Sequence, residues 1–162
     1  MKISFIILLI FLITGCSNVN LTYMDNKSLM NPIYEKTRIS TTGLDLNFMN
    51  SYLPMIFGLD KKNEFLLSID INERKTKRSV ESNQAVSNLS YELRFTYSLY
   101  NNTNECVTLE RKILSNFSII PKSDGYNYGT DASLDKKYEL AVSENLNRFL
   151  SYLSDSNVNV CL

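Results

Sequence analysis

The stretch Leu89-Ser90-Tyr91-Glu92-Leu93-Arg94-Phe95-Thr96-Tyr97-Ser98-Leu99 decides the fold class. Its odd-numbered residues are all apolar or aromatic, and its even-numbered residues are all polar. Successive side chains of an extended chain point to opposite faces, so this pattern describes a strand buried on one face and solvated on the other. The same alternation stands upstream. Phe65, Leu67, Ile69 and Ile71 oppose Leu66, Ser68, Asp70 and Asn72. Downstream, a third strand is expected from Cys106 to about Leu114, followed by a less regular Ser115 to Ile120. The links are a polar loop, Glu73 to Asn88, and a tighter connection, Asn101 to Glu105. Three consecutive strands joined in this way predict an antiparallel meander.

Beyond the strands, Pro121 to Thr130 reads as a loop rich in Gly, Tyr and Asn. Asp131 to Ser154 then carries a helical stripe of Tyr138, Val142, Leu146, Phe149, Leu150 and Leu153. Asp131 or Ser133 is the expected cap, with Asp135 and Glu139 in the early turns. On the N-terminal side, Ile33 to Ser40 alternates weakly and predicts a short strand, and Thr41-Thr42-Gly43 is a turn signal. Leu44 to Phe57 fits both periods. Leu44, Leu46 and Phe48 alternate, while Leu44, Phe48, Met49, Tyr52 and Met55 also form a helical stripe, with Pro54 placed to stop or kink it. Helix and strand both stay open there. Neither a one-faced sheet nor a striped helix buries its apolar surface alone. The expectation is an α+β fold, an antiparallel sheet of about four strands with one or two helices packed on one face, within a single domain over residues 31–155.

The N-terminus reads differently. Lys2 precedes an apolar run from Ile3 to Ile13, interrupted only by Ser4 and ending in Thr14-Gly15-Cys16. That is a signal-peptide layout, too short to span a bilayer. Ile13-Thr14-Gly15-Cys16 resembles the bacterial lipobox, in which a branched and two small residues precede a cysteine whose thiolate takes a diacylglycerol. Residues 1–15 are therefore expected to be a signal peptide, Cys16 the lipidated residue, residues 16–30 a polar tether, and residues 156–162 a tail unless Cys161 pins them. Ser17, where an Asp would retain the protein at an inner membrane, points to the periplasmic side of the outer membrane.

Composition excludes much chemistry. The chain has 17 Lys and Arg against 17 Asp and Glu and no His. Removing residues 1–15 takes away only Lys2, so the remainder is close to neutral, which argues against a general nucleic-acid binder. Without His, the Ser-His-Asp and Cys-His nucleophile systems are impossible, and the commonest metal ligand is missing. No enzyme activity, metal or cofactor is expected. Asp124, Asp131 and Asp135 accompany no phosphate loop or metal spacing and read as helix-start acids. Tyr126 and Tyr128 could meet a partner or pack locally. In an oxidising compartment, Cys106 and Cys161 could pair, which would contribute at most ~4 kcal/mol by the chain-entropy account. Spacing alone leaves that pairing open. The sharpest local feature is Arg74-Lys75-Thr76-Lys77-Arg78 in the expected loop. It is either a solvated charge run or a recognition element for an anion such as a phosphorylated lipid.

Taken in order, these parts resemble the LPS-assembly lipoprotein LptE family. The shared features are the lipobox, a short first strand and candidate helix, and Phe65–Asn72 running into the basic Glu73–Arg78. The Ser90–Tyr100 strand, the strand bearing Glu110-Arg111, the Tyr126-Asn127-Tyr128 stretch and a final helix with Ala141 and Leu150 complete the match. The residues after Cys16 and the end after Asp155 depart from the family pattern. The resemblance implies a non-enzymatic outer-membrane lipoprotein that plugs an LptD-type β-barrel and assists assembly of lipopolysaccharide into the outer leaflet. It also implies that Arg74, Lys75, Lys77 and Arg78 meet lipopolysaccharide phosphates. The alternative is a stand-alone envelope lipoprotein acting as a surface interaction factor or secretion-system component.

Overall fold

The structure is a computed structural model that describes residues 31–80, 86–120 and 128–162. The expected signal segment, Cys16 and the expected tether lie outside the described residues. Four strands form one sheet: β1 (Thr37–Gly43), β2 (Phe65–Val80), β3 (Val86–Asn101) and β4 (Cys106–Ile119), in the order β1-β2-β3-β4. Helix α1 (Met49–Phe57) lies between β1 and β2, and α2 (Tyr128–Asp155) follows β4.

The alternation in the sequence is the alternation in space. Phe65, Leu67, Ile69 and Ile71 of β2, with Tyr91, Leu93, Phe95, Tyr97 and Leu99 of β3, are buried on one face. Leu109, Ile113 and Ile119 of β4 extend that face. Tyr138, Val142, Leu146, Phe149 and Leu153 of α2 and Met49, Leu53 and Phe57 of α1 close over it. Phe149 stacks on Tyr97 with ring centroids 4.0 Å apart. Each fully buried side chain of this size contributes roughly 1.5–3 kcal/mol relative to leaving it exposed. The two helices touch where the Tyr52 and Ser143 hydroxyls share a hydrogen bond of 2.7 Å. The fold is thus α+β with two helices on one face.

Several boundaries differ from the sequence reading. β2–β3–β4 is the antiparallel meander, but β1 joins β2 in parallel, making the sheet mixed. The chain leaves β1, crosses through α1 and re-enters alongside, and such a crossover delivers a parallel neighbour. β1 is displaced toward Gly43, so Thr41 and Thr42 are strand and the chain turns only afterward. Gly43 permits this with φ +87. The ambiguous segment resolves into a helix from Met49 onward, since Met49, Leu53 and Phe57 recur at helical spacing and are all buried. Pro54 lies inside it, and the helix continues to Phe57.

The largest difference concerns the expected loop Glu73 to Asn88. Residues 73–80 continue β2 and residues 86–88 begin β3, paired out to Val80↔Val86. Cross-strand hydrogen bonding stabilises extended backbone there whatever the side-chain polarity, and a stretch polar on both faces gave no apolar alternation to reveal it. β4 likewise runs unbroken to Ile119. α2 starts at Tyr128, so Asp131 and Ser133 lie inside the helix rather than capping it.

The C-terminal residues 156–162 are packed rather than free. Val158 is buried, the Leu162 N–H donates to the Val107 carbonyl at 2.9 Å, and Cys106 and Cys161 are joined by a disulfide with Cα atoms 5.8 Å apart.

Candidate functional site

The basic run is the feature from which a site must be built, and β2 divides it. In an extended strand, Lys75 and Lys77 continue the face of Phe65, Leu67, Ile69 and Ile71, on the helix side. Arg74 and Thr76 continue the opposite, solvated face. Arg78 has its backbone in β2, while its side chain is outside the described ones. Arg74, Lys75 and Lys77 therefore do not converge on one point. They line both faces of the arm formed by β2 and β3.

On the helix side the arm carries a mixed cluster. The Glu73 carboxylate receives a hydrogen bond from the Tyr138 hydroxyl of α2 and lies 3.0 Å from the Lys75 ammonium. Glu73 is only 13% exposed at its side chain, so these two partners offset much of its desolvation. The Lys75 ammonium also sits 5.4 Å from the centre of the Tyr91 ring. Tyr91 stacks on Phe117 at 4.8 Å, and Tyr138 meets both rings edge-on. The hydrogen bond to Glu73 holds the Lys75 pKa above its usual value. Burial first, then Glu73, pushes the Tyr138 hydroxyl well above the usual range. Both protons stay in place at neutral pH, so the cluster is a fixed contact rather than a proton relay.

On the other face, Arg74, Thr76, Ser90, Glu92 and Asn116 line a shallow hollow of about 120 Å³. That face is polar over much of the sheet. Asp70 accepts hydrogen bonds from Thr42 at 3.0 Å and from Asn72 at 2.6 Å, and Arg94 pairs with Glu92 at 3.3 Å. Between α1 and the start of α2 is a cleft of about 360 Å³ lined by Phe48, Ser51, Tyr52, Glu139, Leu140 and Ser143.

A second polar centre was not singled out in the sequence. Asn145 of α2 is fully buried. Its Oδ1 accepts from the Tyr97 hydroxyl at 2.8 Å, and its Nδ2 donates to Ser115 Oγ at 2.9 Å and to the Ile113 carbonyl at 3.3 Å. The signal was available: Asn145 falls within the apolar stripe of Val142, Leu146 and Phe149. All its strong hydrogen-bonding directions have partners, so it positions α2 on the sheet and offers no ligand site.

Of the remaining candidates, Asp124 and Tyr126 lie outside the described residues. Tyr128 and Asp131 have their backbones in the first turn of α2, and Asp135 is exposed on that helix. Among the described residues, no three His, Cys, Asp or Glu side chains come together as a metal site, and no helix is long and apolar enough to cross a membrane.

No protein-family model matches the chain, and no curated protein matches its sequence. Solved structures do match its fold. A lipoprotein from Caulobacter crescentus superposes with a TM-score of 0.58 at 11% identity, over 80% of this chain and 92% of that one. A minor lipoprotein from Acinetobacter baumannii gives 0.53 at 12% identity, over 76% and 94%. Rare lipoprotein B from Shewanella oneidensis gives 0.51 at 10% identity, over 72% and 94%. The chain therefore has a fold found in bacterial lipoproteins.

Proposed function

We propose that this chain is a lipid-anchored envelope protein, held through Cys16 at the periplasmic side of an outer membrane. In this reading it plugs an LptD-type β-barrel and assists assembly of lipopolysaccharide into the outer leaflet. The observation that carries the reading is the two-layer build. Both helices cover one face of the sheet, and the other face presents Ser68, Asp70, Arg74, Glu92, Arg94 and Thr96. A polar sheet face suits the polar lumen of a barrel, where an apolar one would not. The lipobox supplies the address, and the fold shared with three bacterial lipoproteins agrees with it. The role asks for binding and position, not catalysis. Because Arg74 and the two lysines lie on opposite faces, the basic strand would meet lipid phosphates as separate contacts along its length rather than as one pocket.

The test is affinity purification of the tagged, full-length chain from membranes. Recovery of a large outer-membrane barrel is expected. Recovery of peptidoglycan or a secretion apparatus without a barrel would replace the plug by a stand-alone envelope role. Changing Arg74, Lys75, Lys77 and Arg78 to Ser should weaken lipopolysaccharide binding, and the wild-type affinity should fall with salt. Unchanged affinity would remove these cations from the role.

A further inference from the structure

Among the described residues, one stretch of the sheet has no neighbour on its outer side. β1 pairs with β2 only from Thr37↔Phe65 to Gly43↔Ile71, whereas β2 pairs with β3 out to Val80. Gly43 marks where β1 ends. A Cβ there would stand 2.2 Å from the Ile71 carbonyl oxygen, so only glycine permits the close approach. Leu44 then donates to that oxygen at 2.8 Å, and the chain turns away. From Asn72 onward no described residue pairs with the outer edge of β2. A free edge presents a row of unmatched backbone donors and acceptors, ready to accept another strand.

The cations sit on this same stretch, and they guard both of its faces. Lys75 and Lys77 project on the helix side and Arg74 on the other. Neither Arg74 nor Lys77 forms an ion pair with a described residue. Glu73, the single acid between Asn72 and Lys77, is already held by Tyr138 and Lys75.

We propose that the Asn72–Lys77 edge receives an extended acidic segment of a partner protein, added as a fifth strand beside β2. Backbone hydrogen bonds supply the affinity of such an addition, and side-chain charge supplies the choice of partner. A second copy of this chain is a poor occupant, because the edge paired with itself sets Lys and Arg against Lys and Arg. A neutral apolar strand leaves the cations unmatched. Since cations project from both faces, the fitting segment carries acids at consecutive positions, not at alternate ones. The inference does not rest on the lipopolysaccharide reading. A glycolipid phosphate would engage the side chains alone, whereas a strand engages the backbone.

The probe is a labelled synthetic peptide, Thr-Val-Asp-Glu-Asp-Glu-Val-Thr, titrated against the full mature chain and followed by fluorescence anisotropy and backbone amide exchange. Binding is expected, with slowed exchange at residues 72–77. The peptide with Lys in place of its four acids, and the exposed-site variant K75S/K77S, should each weaken binding by about tenfold or more. A peptide N-methylated at two consecutive central residues keeps its charge but cannot pair on either edge, and it should not bind. If the acidic peptide fails to bind, or the N-methylated one binds equally well, or protection appears elsewhere, strand addition at this edge is wrong. Those outcomes leave recovery of a barrel untouched, so the two readings fail separately.

Discussion

The two edges of this sheet are finished in opposite ways. At β4 the C-terminal segment folds back, its Leu162 N–H bonds the Val107 carbonyl, and the Cys106–Cys161 disulfide holds it there. Further along the same strand, Arg148 of α2 donates to the Leu114 carbonyl at 3.2 Å. At these points that edge is covered by covalent chemistry and by a side chain reaching from the helix. At the other side, β1 covers only the first half of β2, and the rest is protected by charge. Where an edge is covered, a further strand cannot pair. A charged edge rejects most strands and can still admit a complementary one.

The disulfide at the covered edge carries the largest expected effect. Replacing both Cys106 and Cys161 by Ser should lower unfolding free energy by about 2–4 kcal/mol, read as a lower urea midpoint. Amide exchange should rise at Leu162 while residues 72–77 stay as they were. If exchange at Leu162 does not change, the disulfide is not what holds the tail on β4.

Asn145→Ala should have the next largest effect, about 2–3 kcal/mol, because the Tyr97 hydroxyl and the Ile113 carbonyl would be buried with a partner lost. Tyr97 adds a pH signature. Burial raises its pKa far above the ordinary value near 10. The unfolded chain therefore releases this proton first, and stability, complete below about pH 10, should fall as pH rises beyond it. Chemical denaturation between pH 8 and 11 would test the sign, and a flat profile would contradict it.

At the open edge the expected changes are smaller. Glu73→Ala should cost about 1–2 kcal/mol, since it leaves the Tyr138 hydroxyl without its acceptor. Lys75→Val with Lys77→Val should cost about 1 kcal/mol, since Glu73 loses one of its two partners. It should nonetheless induce self-association, visible by sedimentation, since the edge would lose its charge but keep its free backbone. A double variant that stays monomeric would show that the lysines are not what protects this edge.

How much of this was legible in the sequence depends on contrast. β3 and the first half of β2 were readable because apolar and polar residues alternate there, and the α2 stripe was readable for the same reason at helical spacing. The second half of β2 was not. Arg74 to Lys77 are polar on both faces, so a strand and a solvated loop look alike until β3 is seen to pair with them. The parallel placement of β1 was equally hidden, since nothing in Thr37–Gly43 says which way its neighbour runs. The Glu73–Tyr138 contact joins residues 65 positions apart, and no local pattern links them. Asn145 could have been noticed as a polar residue within an apolar stripe, although its partners Tyr97, Ile113 and Ser115 could not.

The lipobox-like pattern ending in Cys16, the absence of His, the number of strands and the face each apolar residue takes all follow from the order of residues, because they depend on local chemistry and on periodicity. Which strands end up at the edges, how the basic run is parted between two faces, and what lies beyond Asn72 depend on residues far apart in the chain being brought side by side. An edge is defined by the missing neighbour, and a neighbour in a sheet exists only in three dimensions. The fold therefore turned a cluster of like charges in an expected loop into two basic faces along a strand edge that no described residue pairs.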